Sequence, residues 1–84
     1  MSHTGPTRVD EIIEALRELG GRAHVAAIKD RVAQNRGGRP PQYKSDHTYR
    51  NTIQKLIEDH CPESDNFCKT AYFERTEHGR YRLM

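Results

Sequence analysis

Ser45–His60, SDHTYRNTIQKLIEDH, is the stretch on which the reading of this chain turns. Tyr49, Ile53, Leu56 and Ile57 recur at i, i+4, i+7 and i+8, the spacing of a narrow apolar stripe along one side of a helix. The opposite face carries His47, Arg50, Asn51, Gln54 and Lys55. All five can hydrogen-bond to base edges or phosphates, and none is a carboxylate. Ser45 or Asp46 can cap the start, while Glu58 and Asp59 come only at the far end. The helix macrodipole favours acids at the N-terminus and bases at the C-terminus; apart from Asp46, the order here is reversed. A helix kept basic at the end that would enter a groove suggests a nucleic-acid partner. Taken alone, it is equally an ordinary amphipathic helix with a solvated polar face.

The charge around this helix supports the first reading. Between Gly20 and Ile57 stand eight bases, Arg22, Lys29, Arg31, Arg36, Arg39, Lys44, Arg50 and Lys55, against two acids, Asp30 and Asp46. The flanks hold the other six bases and ten acids, so a formal net charge of +2 conceals a basic middle and acidic ends. Clustered positive charge is the footprint of a polyanion binder. The acidic first segment argues against indiscriminate binding by the whole surface.

With 84 residues, 33% hydrophobic and 31% charged, the chain predicts one small, very polar domain. At this size roughly 60–65% of the unfolded surface can be buried, which leaves no room for both a substrate pocket and an elaborate catalytic apparatus. No apolar run approaches the about 18 residues that a membrane-spanning helix needs, and no signal-peptide pattern opens the chain. The expectation is a soluble, cytoplasmic protein with no membrane partner.

The remaining elements follow from periodicity and punctuation. Met1–Pro6 reads as a flexible lead, and residues 7–84 as the domain. Thr7-x-x-Asp10 is a weak capping box, followed by the apolar stripe Val9, Ile12, Ile13, Leu16 and Leu19 with a solvated acidic face behind it. Gly20-Gly21 stops this helix, the first glycine suiting a left-handed cap. Arg22-Ala23-His24 is a short strand or extended link. A second helix is predicted over Val25–Gln34, with Val25, Ile28 and Val32 facing inward and Ala26, Ala27 and Ala33 allowing close approach of a neighbour. Asn35–Tyr43, NRGGRPPQY, reads as a loop. Pro62 marks the end of the third helix. Ala71–Thr76 and Arg80–Leu83 alternate as strands about His78-Gly79, with Tyr81 and Leu83 on one face and Arg80 and Arg82 on the other or on the exposed edge.

Three helices, a short strand after the first, and a C-terminal β-hairpin make an α+β chain in the order of a winged helix, with the third helix as recognition helix and the hairpin as wing. At this point the chain resembles the winged-helix modules of the HARE-HTH type. It resembles more closely the small winged-helix domains attached to bacterial restriction endonucleases and related defence proteins. The resemblance is carried by Gly20, Gly21 and Ala23 leading into the second helix, and by Thr48 and Arg50 opening the third. Ser64 and Asp65 continue it in the following loop, as do Phe73, Gly79, Tyr81 and Leu83 in the hairpin. It covers nearly everything from Val9 to Leu83 and implies binding of double-stranded DNA through the third helix in the major groove. Family members are associated with restriction, and some look like readers of methylated adenine.

Individual roles follow from side-chain chemistry. Arg50 offers a two-donor fork for guanine O6 and N7 or for a phosphate; the alternative is an ion pair with Asp46. Asn51 and Gln54 can pair with adenine N6 and N7. Ser45, His47 and Thr48 lie at the first turn, where backbone N–H groups also attract phosphate. Lys44 and Lys55 read as phosphate contacts, which position a protein without specifying sequence. Tyr43 is the aromatic best placed to touch a base. Arg36 and Arg39 in the loop can reach a phosphate or simply be solvated. Arg75, His78 and Arg80 surround the hairpin turn, where Glu74 and Glu77 oppose them.

Cys61, Cys68, His60 and His78 lack the paired spacing of a zinc finger, so neither a metal nor another cofactor is expected. Two reduced cysteines, one or both buried, are expected in preference to a disulfide. No nucleophile–base pair, phosphate loop or nuclease motif is present, so no catalytic residue is assigned. The chain stops one residue after its last strand, and a nuclease or other effector C-terminal to it in a longer parent is expected. The leading expectation is thus a duplex-DNA-binding module, with a homodimer allowed. The alternative is a protein-interaction winged helix that does not touch DNA.

Overall fold

A computed structural model describes residues 7–38, 43–65 and 67–84. The predicted lead over Met1–Pro6 lies outside the described residues, and so does Arg39. The order is α1 (Val9–Glu18), β1 (Arg22–His24), α2 (Val25–Arg36), α3 (Asp46–Asp59), β2 (Phe73–Glu77) and β3 (Arg80–Leu83). The three strands form one antiparallel sheet in the order β1-β3-β2. This is an α+β arrangement compatible with a winged helix. None of the helices is long and apolar enough to cross a membrane, among the described residues.

The core is built from the stripes that the periodicity picks out. Ile12, Ala15 and Leu16 of α1, Ile28 and Val32 of α2, and Tyr49, Ile53 and Ile57 of α3 are all buried, and Cys61, Phe73 and Tyr81 close the cluster from the sheet side. On the sheet, Tyr81 faces Ala23 on one side and Arg75 on the other, and Leu83 faces Phe73. Alternation therefore sends Tyr81 and Leu83 inward and Arg80 and Arg82 outward. Between Arg75 and Glu77 the register slips, so Thr76 is the extra residue of a bulge, a device that sharpens the local twist.

Two helix boundaries differ from the sequence reading. α1 is not capped by Thr7. Its N-cap is Arg8, whose backbone N–H donates to Glu11 Oε2 at 2.8 Å. Thr7 is buried instead, its N–H and Oγ1 both bonded to the Tyr43 hydroxyl at 3.2 Å. A contact across 36 residues thus takes the cap that local pattern assigns. α2 runs two residues further than predicted, to Arg36. Gly37, at φ +82°, donates to the Gln34 carbonyl, and Gly38 to the Ala33 carbonyl at 2.8 Å. This paired closure by a left-handed residue is the same device that Gly20 and Gly21 use on Arg17 and Leu16 after α1.

Arg36 is consequently no loop base. Its Nε and Nη2 donate to Glu11 Oε1 and Oε2 at 2.5 and 2.8 Å, and the two side chains are only 4% and 17% exposed. The expectation that Arg36 reaches a phosphate is corrected: a guanidinium enclosed between α1 and α2 has its donors committed. The Tyr49 hydroxyl is buried in the same region with no hydrogen-bond partner among the described residues, and the neighbouring Thr7 hydroxyl accepts from Tyr43.

Two outcomes follow for stability. Glu11→Ala leaves Arg36 buried without its anion and costs about 3 kcal/mol in urea unfolding, whereas Glu14→Ala on the same helix changes stability by less than about 0.5 kcal/mol. Tyr49→Phe removes an unsatisfied buried hydroxyl and is neutral or stabilising by about 1 kcal/mol in the same assay. A large loss there would mean that the hydroxyl is bonded after all.

Candidate nucleic-acid interface

α3 begins where Ser45 caps it. The Ser45 Oγ accepts from the Thr48 N–H at 3.2 Å and lies 3.1 Å from Thr48 Oγ1. Ser45 and Thr48 are thereby occupied as a local cap. At 100° per residue, His47, Asn51 and Gln54 centre the outward face, with Arg50 on one flank and Lys55 on the other. His47, Asn51 and Lys55 are exposed, while Arg50 and Gln54 are half-buried. His47 Nε2 and Asn51 Nδ2 lie 3.1 Å apart, one turn from each other. Lys44 and Lys55 are exposed and make no ion pair among the described residues.

The Arg50 flank abuts α2. Arg50 Nη1 donates to Asp30 Oδ1 at 2.6 Å, so its partner is on the neighbouring helix and not Asp46. One turn on, Lys29 Nζ donates to Gln54 Oε1 at 2.7 Å, and Gln54 Nε2 donates to Glu58 Oε2 at 3.0 Å. Consecutive residues of α2 therefore hold residues one turn apart on α3. Burial lowers the Lys29 pKa from its usual value, and the nearby Arg50 charge lowers it further. Lys29, Asp30 and Glu58 were not among the site residues that the sequence suggested. The available signal was the Lys29-Asp30 pair next to the core residue Ile28, the position from which α2 reaches a packed neighbour.

Tyr43 is not free to stack on a base. Its ring lies 5.0 Å from that of Tyr49, and its hydroxyl is engaged with Thr7. The hairpin bases do not converge either. Arg75 shares the Tyr81 face, and its backbone N–H and Nη2 are bonded to Glu63, both at 3.0 Å. Arg80 is on the outward face with Arg22 and Arg82, where Arg82 pairs with Glu74 at 2.5 Å. His78 is exposed at the turn. Gly79 has φ +76°, and a Cβ there would come within 2.9 Å of His24 Nε2. That ring is held by Nδ1, which accepts from the Ala26 N–H at 3.1 Å as the N-cap of α2. The base of the turn is thereby packed onto the β1–α2 junction.

Cys61 is buried and Cys68 exposed, and both thiols are free. Burial raises the Cys61 pKa. His60 is buried, donating Nδ1–H to the Thr70 carbonyl at 2.7 Å with its ring against Tyr72. No group of three or more His, Cys, Asp or Glu side chains is gathered as a metal site, among the described residues. Comparison with family models, with curated proteins and with solved structures finds no match.

A thiol reagent such as Ellman's reagent is expected to titrate Cys68 at once and Cys61 only when denaturant opens the fold. Two equally fast thiols would contradict the placement of Cys61.

Proposed function

We propose that this chain is a winged-helix module that binds double-stranded DNA, with α3 entering the major groove. The observation that carries the reading is the uncovered face of α3. Arg50, Asn51 and Gln54 offer the side-chain chemistry of base recognition there, and Lys44 and Lys55 flank them as exposed cations with no ion pair among the described residues. The internal bonds of this face do not oppose binding. The Arg50–Asp30 pair is 36% and 71% exposed and uses only Nη1 of the guanidinium, so Arg50 can meet a base or phosphate without giving up Asp30. Asn51 and His47 are similarly solvated. Arg80 and His78 lie on the exposed side of the hairpin and suit a secondary backbone contact, whereas Arg75 and Tyr43 are committed within the fold. Site recognition for a restriction or defence nuclease, including a modified base such as methylated adenine, is the finer part of the proposal. It rests on the resemblance at Gly20, Gly21, Ala23, Thr48, Arg50 and Gly79.

A second reading, a protein-interaction module, is favoured by one observation: Phe67, Tyr72 and Met84 are exposed apolar side chains in the C-terminal part. A stable dimer by light scattering, with no duplex binding at low salt, would select it.

Duplex binding followed by fluorescence anisotropy should weaken linearly in log–log form with salt, with a slope of about −0.9 per phosphate contact. Arg50→Ala with Lys55→Ala should flatten that slope by up to about two contacts and weaken binding at least about tenfold. Unchanged affinity would remove α3 as the interface. Matched duplexes, unmodified and carrying methylated adenine or modified cytosine, test the finer part.

A further inference from the structure

Resting on the duplex-binding reading of α3, we propose that Asp30 of α2 is a positioning residue that sets base preference by orienting the Arg50 guanidinium. Free arginines on a helix surface sample many rotamers and contact phosphates and bases without discrimination. Arg50 is different because Nη1 is tied to Asp30 Oδ1 at 2.6 Å from a separate helix. A guanidinium has two donor edges beside the stem. With Nη1 held, the edge formed by Nε–H and Nη2–H is left, and neither atom has a partner among the described residues. That edge is a parallel two-donor fork, the arrangement that matches O6 and N7 of guanine.

The pairing is built into the helix–helix contact. Asp30 follows Lys29, which holds Gln54 one turn beyond Arg50, and Gln54 is held again by Glu58. α2 thus steadies two reading side chains at once, and the fixed crossing of α2 on α3 keeps both anchors in register. Support of a contact residue by a second residue that never touches the ligand is the way recognition geometry is held tightly enough to discriminate. Stability does not explain the pair, since Asp30 is 71% exposed and Arg50 36%, and pairs so open to solvent contribute about 0–1 kcal/mol. An acid at the rim of a polyanion-binding face is also a cost to general affinity. Asp30 and Asp46 are the only acids in the basic block from Gly20 to Ile57.

The test is selection of preferred duplexes from a random pool by the unmutated protein, followed by binding to the selected site and its single-base-pair variants. Asp30→Ala, Arg50→Ala and the double variant are compared. Asp30→Ala should lose preference at one G·C pair by about tenfold or more while binding unselected duplex as well as or better than the unmutated protein. Its thermal melting should be unchanged, because an exposed pair contributes little to stability. Arg50→Ala should lose preference at the same pair, and the double variant should lose no more than Arg50→Ala alone. An Asp30→Ala protein with unaltered ratios at every base pair would overturn the positioning role while leaving duplex binding intact. Failure of the unmutated protein to bind duplex would instead overturn both the positioning role and the reading beneath it.

Discussion

The Glu11–Arg36 pair holds the helical layer in one arrangement. Glu11 accepts from both Arg36 donors and from the Arg8 backbone, so a single carboxylate closes the start of α1 and fixes the end of α2. A buried ion pair gains little net stability over apolar residues of the same shape, because both charges must be stripped of water. Its value is in what it forbids. Any sliding of α2 along α1 would leave a guanidinium enclosed without an anion. Tyr49, from the first turn of α3, is buried in the same region against Tyr43, and the position of α3 is set from there.

From that anchor the outward face of α3 follows. With Tyr49, Ile53 and Ile57 held in the core, the helix has one remaining orientation, in which His47, Asn51 and Lys55 are exposed and Arg50 and Gln54 abut α2. The sheet closes the other side of the core through Phe73 and Tyr81. The α3–β2 loop returns to the helix end, where the Cys68 and Lys69 N–H groups donate to the Asp59 carbonyl and the Tyr72 and Phe73 N–H groups to that of His60. Carbonyls that a helix end would leave unpaired are used to place the hairpin. The acid Glu58 near that end is engaged by Gln54.

Helix and strand periodicity was legible where it reports burial: the stripes of α1 and α3 and the alternation of β3 are core positions as predicted. What local pattern could not show was competition from distant residues. Thr7 carries a capping side chain, but Tyr43 takes it, and Arg8 with Glu11 closes the helix one residue later. Arg36 has the composition of a loop around it, yet Gly37 and Gly38 repeat the stop already evident in Gly20 and Gly21. Applied consistently, that signal would have placed Arg36 inside α2. The polar face of α3 was legible as a set of residues. Its division into a flank tethered by Lys29 and Asp30 and an open flank was not, because those bonds depend on the α2–α3 crossing. Arg75 and Arg80 are close in sequence around one turn, but strand alternation puts them on opposite faces of the sheet.

The proposed duplex-binding role of the α3 face is open to a single measurement. Titrating a short duplex into isotopically labelled protein and following backbone and side-chain amide shifts tests it directly. The largest shifts are expected at Lys44, His47, Arg50, Asn51, Gln54 and Lys55, with the Arg50–Asp30 contact kept and little change at Ile12, Ile28 or Phe73. Shifts centred instead on Phe67, Tyr72 and Met84, or none at low salt, would contradict it.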